Sequence, residues 1–158
     1  MRRLREDEVT TVDESDYSKL IGDFVNDAKR LAEDAWNWTA LRATHTITTV
    51  SGVPTYSLTD FGVRGKVNDV HNESDNTVVR YESLPRIREQ NLGTDGASGT
   101  IVYYTIDGVD GNGDIKIRLY QTPSSVKTLT VYGVKRPADL SSDSDELLIP
   151  SSPVVNWA

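Results

Sequence analysis

The stretch Tyr17–Leu41, YSKLIGDFVNDAKRLAEDAWNWTAL, decides how the chain is read. Its apolar side chains fall at Tyr17, Leu20, Ile21, Phe24, Val25, Ala28, Leu31, Ala32, Ala35, Trp36 and Trp38. Most of them follow the i, i+3, i+4, i+7 spacing of an amphipathic helix, so a helix is expected over Tyr17–Trp38. Ser15 or Asp16 can accept hydrogen bonds from the orphan amides of the first turn, and Glu14 and Asp16 suit the positive end of the helix dipole. Opposite the apolar stripe, Asp23, Asp27, Lys29, Arg30, Glu33 and Asp34 form a mainly acidic outer face for solvent or a partner. Trp36 and Trp38, two residues apart, point ~200° away from each other on a helix. Either one ring faces the core while the other is a cap or interface anchor, or the helix has already ended and both rings pack on a sheet.

Working outward, Met1–Glu14 alternates basic and acidic residues with few aliphatic anchors and reads as an arm, residues 1–14. The helical segment occupies 15–42. Beyond it the periodicity changes from helical to alternating: Ala43–Val50 is threonine-rich and β-branched, and Ser51-Gly52-Val53-Pro54 reads as a turn. Thr55–Leu58, Gly65–His71 and Thr77–Tyr81 look like short strands in a meander. Thr100–Ile106, Asp114–Tyr120 and Lys127–Lys135 look like three more, with Leu129, Val131 and Gly133 on one face. Ser83–Asn91 fits a short surface helix, and the glycine-rich Asn91–Gly99 a mobile loop. The β-rich domain thus spans 43–137. An acidic, serine-rich connector follows, and Ser152-Pro153 reads as an N-cap with proline at the first helical position, so 138–158 holds the connector and the start of a C-terminal helix. The expected fold class is α+β: a long N-terminal amphipathic helix packed on a mostly antiparallel sheet, with the beginning of a last helix.

At 158 residues the chain fits one domain of ordinary size. Lys plus Arg number 17 against 24 Asp plus Glu, a net charge of −7, which argues against a dedicated duplex-DNA binder. Without cysteine, disulfides, thiolate zinc sites and cysteine nucleophiles are closed. No stretch approaches the roughly 20 apolar residues of a membrane span, so no membrane partner is expected, and Met1–Val12 is too charged for a signal peptide.

No catalytic, cofactor or metal residues are assigned. The run Asp107–Asp114 puts oxygen ligands at Asp110, Asn112 and Asp114. It lacks the glycine and the bidentate glutamate of an EF-hand, so a hairpin connection between two strands explains it better. His45 lies in a threonine-rich strand with no carboxylate at a recognisable dyad spacing and reads as structural; His71 sits beside Asp69 and Glu73 and reads as a solvated cluster. There is no nucleophile elbow, phosphate loop or H-E-x-x-H run. Arg64, Lys66, Arg80, Arg86 and Arg88 give the middle of the chain a basic bias against the acidic helix and connector, which is the complementarity a repeated subunit contact would use, with a merely solvated surface as the commoner alternative.

Tyr17–Leu41, fitting the pattern Y..LI..FVN.A...AEDAW.W..L, is followed by a threonine-rich strand and then by Tyr56-Ser57-Leu58, with Thr59 where a proline would complete YSLP. With Glu146–Pro150 and Pro153-Val154-Val155 leading into a last helix, this order resembles the head-to-tail adaptor family of short-tailed bacteriophages. The resemblance implies a virion structural protein without enzymatic activity or cofactor, assembled in the host cytoplasm and placed at the head–tail junction. It implies a homo-oligomeric ring, a dodecamer, joining the portal protein to the tail tube or nozzle protein, with tail fibres as further candidate partners and DNA passing through without specific binding. The family's long C-terminal helix is cut short here at Ala158, which implies a truncated chain. Candidate interface residues are Trp36, Trp38, Arg86, Arg88, Val154, Val155 and Trp157. The alternatives from other classes are a tail-associated hydrolase working through paired carboxylates, which would need two carboxyl groups facing one cleft, and a monomeric β-rich binding module displaying Tyr103, Tyr104 and Tyr120.

Overall fold

A computed structural model of the chain describes residues 15–62, 64–91, 98–142 and 144–157; the expected arm, 1–14, and most of the expected loop, 92–97, lie outside the described residues. The chain forms two compact units, Met1–Leu41 with Pro137–Ala158, and Arg42–Arg136. The fold class is α+β: one long N-terminal helix, a large, mostly antiparallel sheet and a short C-terminal helix.

The first unit is helical. Its long helix α1 runs Asp16–Ala35 and starts on a capping box in which Ser15 and Ser18 exchange side-chain and backbone hydrogen bonds. It ends three residues short of the expected Trp38, because Trp36 adopts extended backbone angles, φ −146° and ψ 153°. The Trp38 indole then folds back and donates to the Ala32 carbonyl at 2.8 Å, satisfying one of the acceptors that every helix end leaves open. A 3-10 turn, Thr39–Leu41, follows.

The second unit carries strands β1 (Arg42–Thr48), β2 (Thr55–Ser57), β3 (Lys66–Asn72) and β4 (Thr77–Tyr81), then helix α2 (Leu84–Asn91). After these come β5 (Ser98–Gly99), β6 (Tyr103–Val109), β7 (Ile115–Tyr120), β8 (Thr122–Pro123) and β9 (Thr128–Val134). The seven-stranded sheet has the order β1-β9-β3-β4-β6-β7-β2, and β5 pairs with β8 separately. This corrects the meander. The last strand inserts between β1 and β3, and β4 pairs with β6 in parallel, Arg80 opposite Tyr103 and Tyr81 opposite Tyr104. A parallel pair needs a crossover rather than a tight turn, and α2 lies in that crossover. The expected surface helix is therefore a topological element, anchored by fully buried Ile87.

Inward-facing residues of six strands meet in one core, among them Ile47, Val70, Val79, Tyr104, Ile117, Leu119, Leu129 and Val131, joined by Leu58 and Phe61 from the 3-10 turn Thr59–Phe61 and its approach. Gly133 makes room for that turn. A Cβ there would stand 2.6 Å from the Phe61 ring and press on the Lys66 carbonyl, a space only glycine leaves.

Back in the first unit, α3 (Ser151–Trp157) packs on α1. It begins one residue before the expected cap, so Pro153 sits within the first turn, where its missing N–H costs no intrahelical bond.

Candidate interaction surfaces

The face that α1 buries is not the one its periodicity marks. At ~100° per residue, the apolar set from Leu20 round to Val25 centres about 80° away from the arc that is buried. The buried residues are Ser18, Ala28, Lys29, Ala32 and Glu33, so the hidden face takes the small apolar residues and two charges. The bulky ones stay out: Tyr17 is 40% exposed, Leu20 45%, Phe24 52% and Leu31 63%. These four fall within ~60° of arc, and Asp16, Asp23, Asp27 and Asp34 line its border within another ~60°. Covering what they leave open is worth ~3–6 kcal/mol, the burial of about two full apolar side chains.

Lys29 and Glu33, expected on the outer face, are each only 1% exposed and are corrected to the interior. The reason is the chain that returns beside the helix. The Lys29 ammonium lies 3.1 Å from Glu33 and donates to the Pro137 and Ala138 carbonyls at 3.3 and 2.9 Å. One turn earlier, Asn26 donates to the Leu140 carbonyl at 3.0 Å and accepts from the Leu140 amide at 2.8 Å, as a neighbouring strand would. Between them Arg30 forks onto Asp139 and reaches Asp27 at 3.2 Å. Asp139, by hydrogen bond and charge, holds the Arg30 proton more tightly than usual. Three α1 side chains, Asn26, Lys29 and Arg30, thus fasten 137–140 along the helix, and the buried Lys29 and Glu33 charges partner each other.

The sequence-predicted interface residues separate. Trp36 is 69% exposed, whereas Trp38 is half-buried and spent on the Ala32 carbonyl. Val154 is buried, and Val155 on the next position is exposed; the Trp157 side chain lies outside the described residues. Arg86 and Arg88 are exposed on α2, Arg86 reaching Glu82 at 3.5 Å.

A family model described as SU10 adaptor protein matches residues 1–158, the whole chain. The chain belongs to that family. No curated protein matches it. Membership bears out the resemblance to bacteriophage head-to-tail adaptors drawn from Tyr17–Leu41, and makes the protein a phage adaptor and virion component.

The remaining candidate sites of this SU10 adaptor hold structure together. Asp107–Asp114 is the β6–β7 hairpin. The Asp110 carboxylate accepts from the Asn112 and Asp114 amides at 2.9 and 3.0 Å, and its pKa is lowered first by the Ser57 hydroxyl and then by these amides. No group of three or more metal-ligating side chains occurs among the described residues. His45, which had no carboxylate at a recognisable spacing, meets Asp60 at 2.8 Å because the 3-10 turn lies against β1. His71 binds Asp69 at 2.7 Å and stands edge-on to the Tyr132 ring. No described helix is long and apolar enough to cross a membrane.

What sequence reasoning missed is the exposed strip Tyr17, Leu20, Phe24, Leu31. Period 3.6 shows that a helix has an apolar side, not which part of that side its own chain covers. The signal that could have found it is the pairing of small residues, Ala28 and Ala32, with Lys29 and Glu33: a close-packed neighbour on that arc forces the larger residues elsewhere.

Proposed function

We propose that this SU10 adaptor forms a closed ring, dodecameric in its natural setting, that joins the portal protein to the tail tube or nozzle protein at the head–tail junction and lines the DNA channel. The observation that carries the reading is the strip of large apolar residues on α1, left exposed among the described residues while the sheet keeps its own core. Isolated exposed apolar residues need no explanation, but an aligned row of four marks a surface that a partner covers. Trp36 and Val155 in the first unit, and Arg86 and Arg88 in the second, are further exposed contact candidates, while Trp38 and Val154 serve internal packing.

A net charge of −7 per copy lets DNA pass without adhering, since a wall of like sign repels the phosphates. The role is structural, as the adaptor family suggests, with assembly in the host cytoplasm and tail fibres as candidate outer partners. Sedimentation of the purified chain, alone and with portal protein, tests the proposal. A ring-sized species in either mixture is expected, and a monomer in both refutes it.

A further inference from the structure

The exposed strip of α1 calls for a cover that is apolar along its centre and cationic along one flank, where Asp16, Asp23, Asp27 and Asp34 stand. Among the described residues of the first unit the cations are Lys19, Lys29 and Arg30. Lys29 is buried against Glu33, and Arg30 is taken by Asp139 and Asp27, which leaves exposed Lys19 against a border of aspartates. The matching pattern occurs in the same unit at Met1–Arg5, MRRLR, where Arg2, Arg3 and Arg5 surround Leu4; this stretch lies outside the described residues. Building on the ring reading, we propose that Met1–Arg5 of one copy docks along the α1 strip of the next, with Leu4 on the apolar centre and the arginines on the aspartate border.

The chemistry selects this occupant. A second α1 strip would bring its own aspartates to the seam, so strip-on-strip pairing is opposed by like charge. The same border repels phosphate, which disfavours nucleic acid and anionic lipid. The residues after the arginines fix the direction. Glu6, Asp7 and Glu8 come next, and laid beside Asp23 or Asp27 they would repel. Run antiparallel to α1, Met1–Arg5 sets its arginines level with those aspartates, and the acidic residues pass the helix N-terminus, where the dipole and exposed Lys19 favour negative charge. Five extended residues cover ~17 Å of the ~21 Å from Tyr17 to Leu31. Glu6–Glu14 can extend to ~30 Å, which gives the stretch reach to a neighbouring copy. Because stretch and strip are different surfaces, the contact is heterologous: each copy gives one and receives one, and both are satisfied throughout only when the ring closes.

The chain has no cysteine, so introduced thiols report the contact directly. Full chains carrying Leu4→Cys or Phe24→Cys, made separately, are mixed with portal protein and oxidised at a concentration where sedimentation velocity shows the wild-type ring. The expected product is a disulfide between positions 4 and 24 of different chains, identified by peptide mass. A wild-type ring whose mixed variants give no such link overturns this assignment and keeps the ring. A chain carrying both substitutions that closes on itself, while the mixture gives no link, overturns exchange between copies in favour of a strap on its own helix. In a second measurement, Arg2→Glu, Arg3→Glu and Arg5→Glu together should raise the half-assembly concentration about tenfold by setting like charges face to face, with the circular dichroism of the monomer unchanged. Adding Asp23→Lys with Asp27→Lys to that variant should restore it to within about threefold. A triple variant that assembles like wild type, or is weakened without rescue, overturns the pairing of arginines with the border. A wild type that never assembles, alone or with portal protein, overturns the ring reading itself.

Discussion

Replacing Lys29 by Met would remove a buried ammonium that answers three acceptors at once: Glu33 at 3.1 Å and the Pro137 and Ala138 carbonyls at 3.3 and 2.9 Å. Met matches the stem in length and shape, so packing is kept and the loss is the ammonium with its charge and hydrogen bonds. Breaking one side of a buried pair costs ~3–5 kcal/mol, because the remaining carboxylate stays out of water without the opposite charge. Glu33→Leu should cost a similar amount for the mirror-image reason. The double variant removes both charges. What it leaves is two carbonyls without their donor, one of them on exposed Ala138 where water can replace it, so its cost should fall to ~1–2 kcal/mol.

The measurement is urea unfolding followed by tryptophan fluorescence, to which Trp38, folded back on the last turn of α1, contributes, at a concentration where sedimentation shows the same oligomeric state for all four proteins. The expected result is a double variant more stable than either single one, with a coupling of ~3 kcal/mol or more. A Lys29→Met cost below ~1 kcal/mol, or singles that add to within ~0.5 kcal/mol, would refute the view that this pair fastens 137–140 to the helix.

Trp38→Phe keeps an aromatic ring but loses the indole N–H that donates to Ala32, and should cost ~1 kcal/mol in the same unfolding assay. Trp36→Ala, at an exposed position, should stay within ~0.5 kcal/mol for the monomer. Gly133→Ala would push a methyl group to 2.6 Å from a Phe61 ring that has no room to retreat, and should cost ~1–3 kcal/mol; Gly111→Ala, with nothing within 4 Å, is the neutral control for the same urea titration. Asp75, lowered chiefly by the hydrogen bond from Lys127, and Asp110, lowered chiefly by Ser57, both hold protons less tightly when folded. The unfolded chain therefore binds more protons as the pH falls. Their stabilisation is complete above the ordinary carboxylate pKa of about 4 and is lost as the pH drops through the lowered folded values. The urea midpoint should be flat from about pH 7 to 5 and fall below about pH 4, less steeply in Asp110→Asn.

The strands were legible wherever alternation met a burial difference. Ile115, Ile117 and Leu119 alternate against Lys116, Arg118 and Tyr120, and β7 lies within a residue of where they place it. Thr77–Tyr81 matches residue for residue. Strand order was not legible, because alternation fixes which side of a strand is apolar and carries no information on its neighbours. Nothing local in Thr128–Val134 announces that it will separate β1 from β3. The parallel pairing of β4 and β6 was hidden for a related reason: Leu84–Asn91 has the composition of a surface helix, and only its buried Ile87 shows it lying in a crossover.

The proposed contact surface was half legible, and the half that failed is informative. The acidic border and the arginines at 2, 3 and 5 could be read directly, since charge does not depend on neighbours. The apolar strip could not, because a helix with nine apolar positions, followed so closely by Trp36 and Trp38, reads as having its whole stripe committed to the core. The returning segment 137–140 alters this by offering backbone carbonyls and the Asp139 carboxylate, and such acceptors are best met by donors: Lys29 and Asn26 for the carbonyls, Arg30 for the carboxylate. Those donors sit on an arc next to Ala28 and Ala32, so the helix rotates its small and polar residues inward and carries Tyr17, Leu20, Phe24 and Leu31 outward. In an isolated monomer that choice leaves several kcal/mol of apolar burial unused. In an assembly it separates two tasks along one helix: one arc specifies how the chain returns, and the adjacent arc stays free for a neighbour.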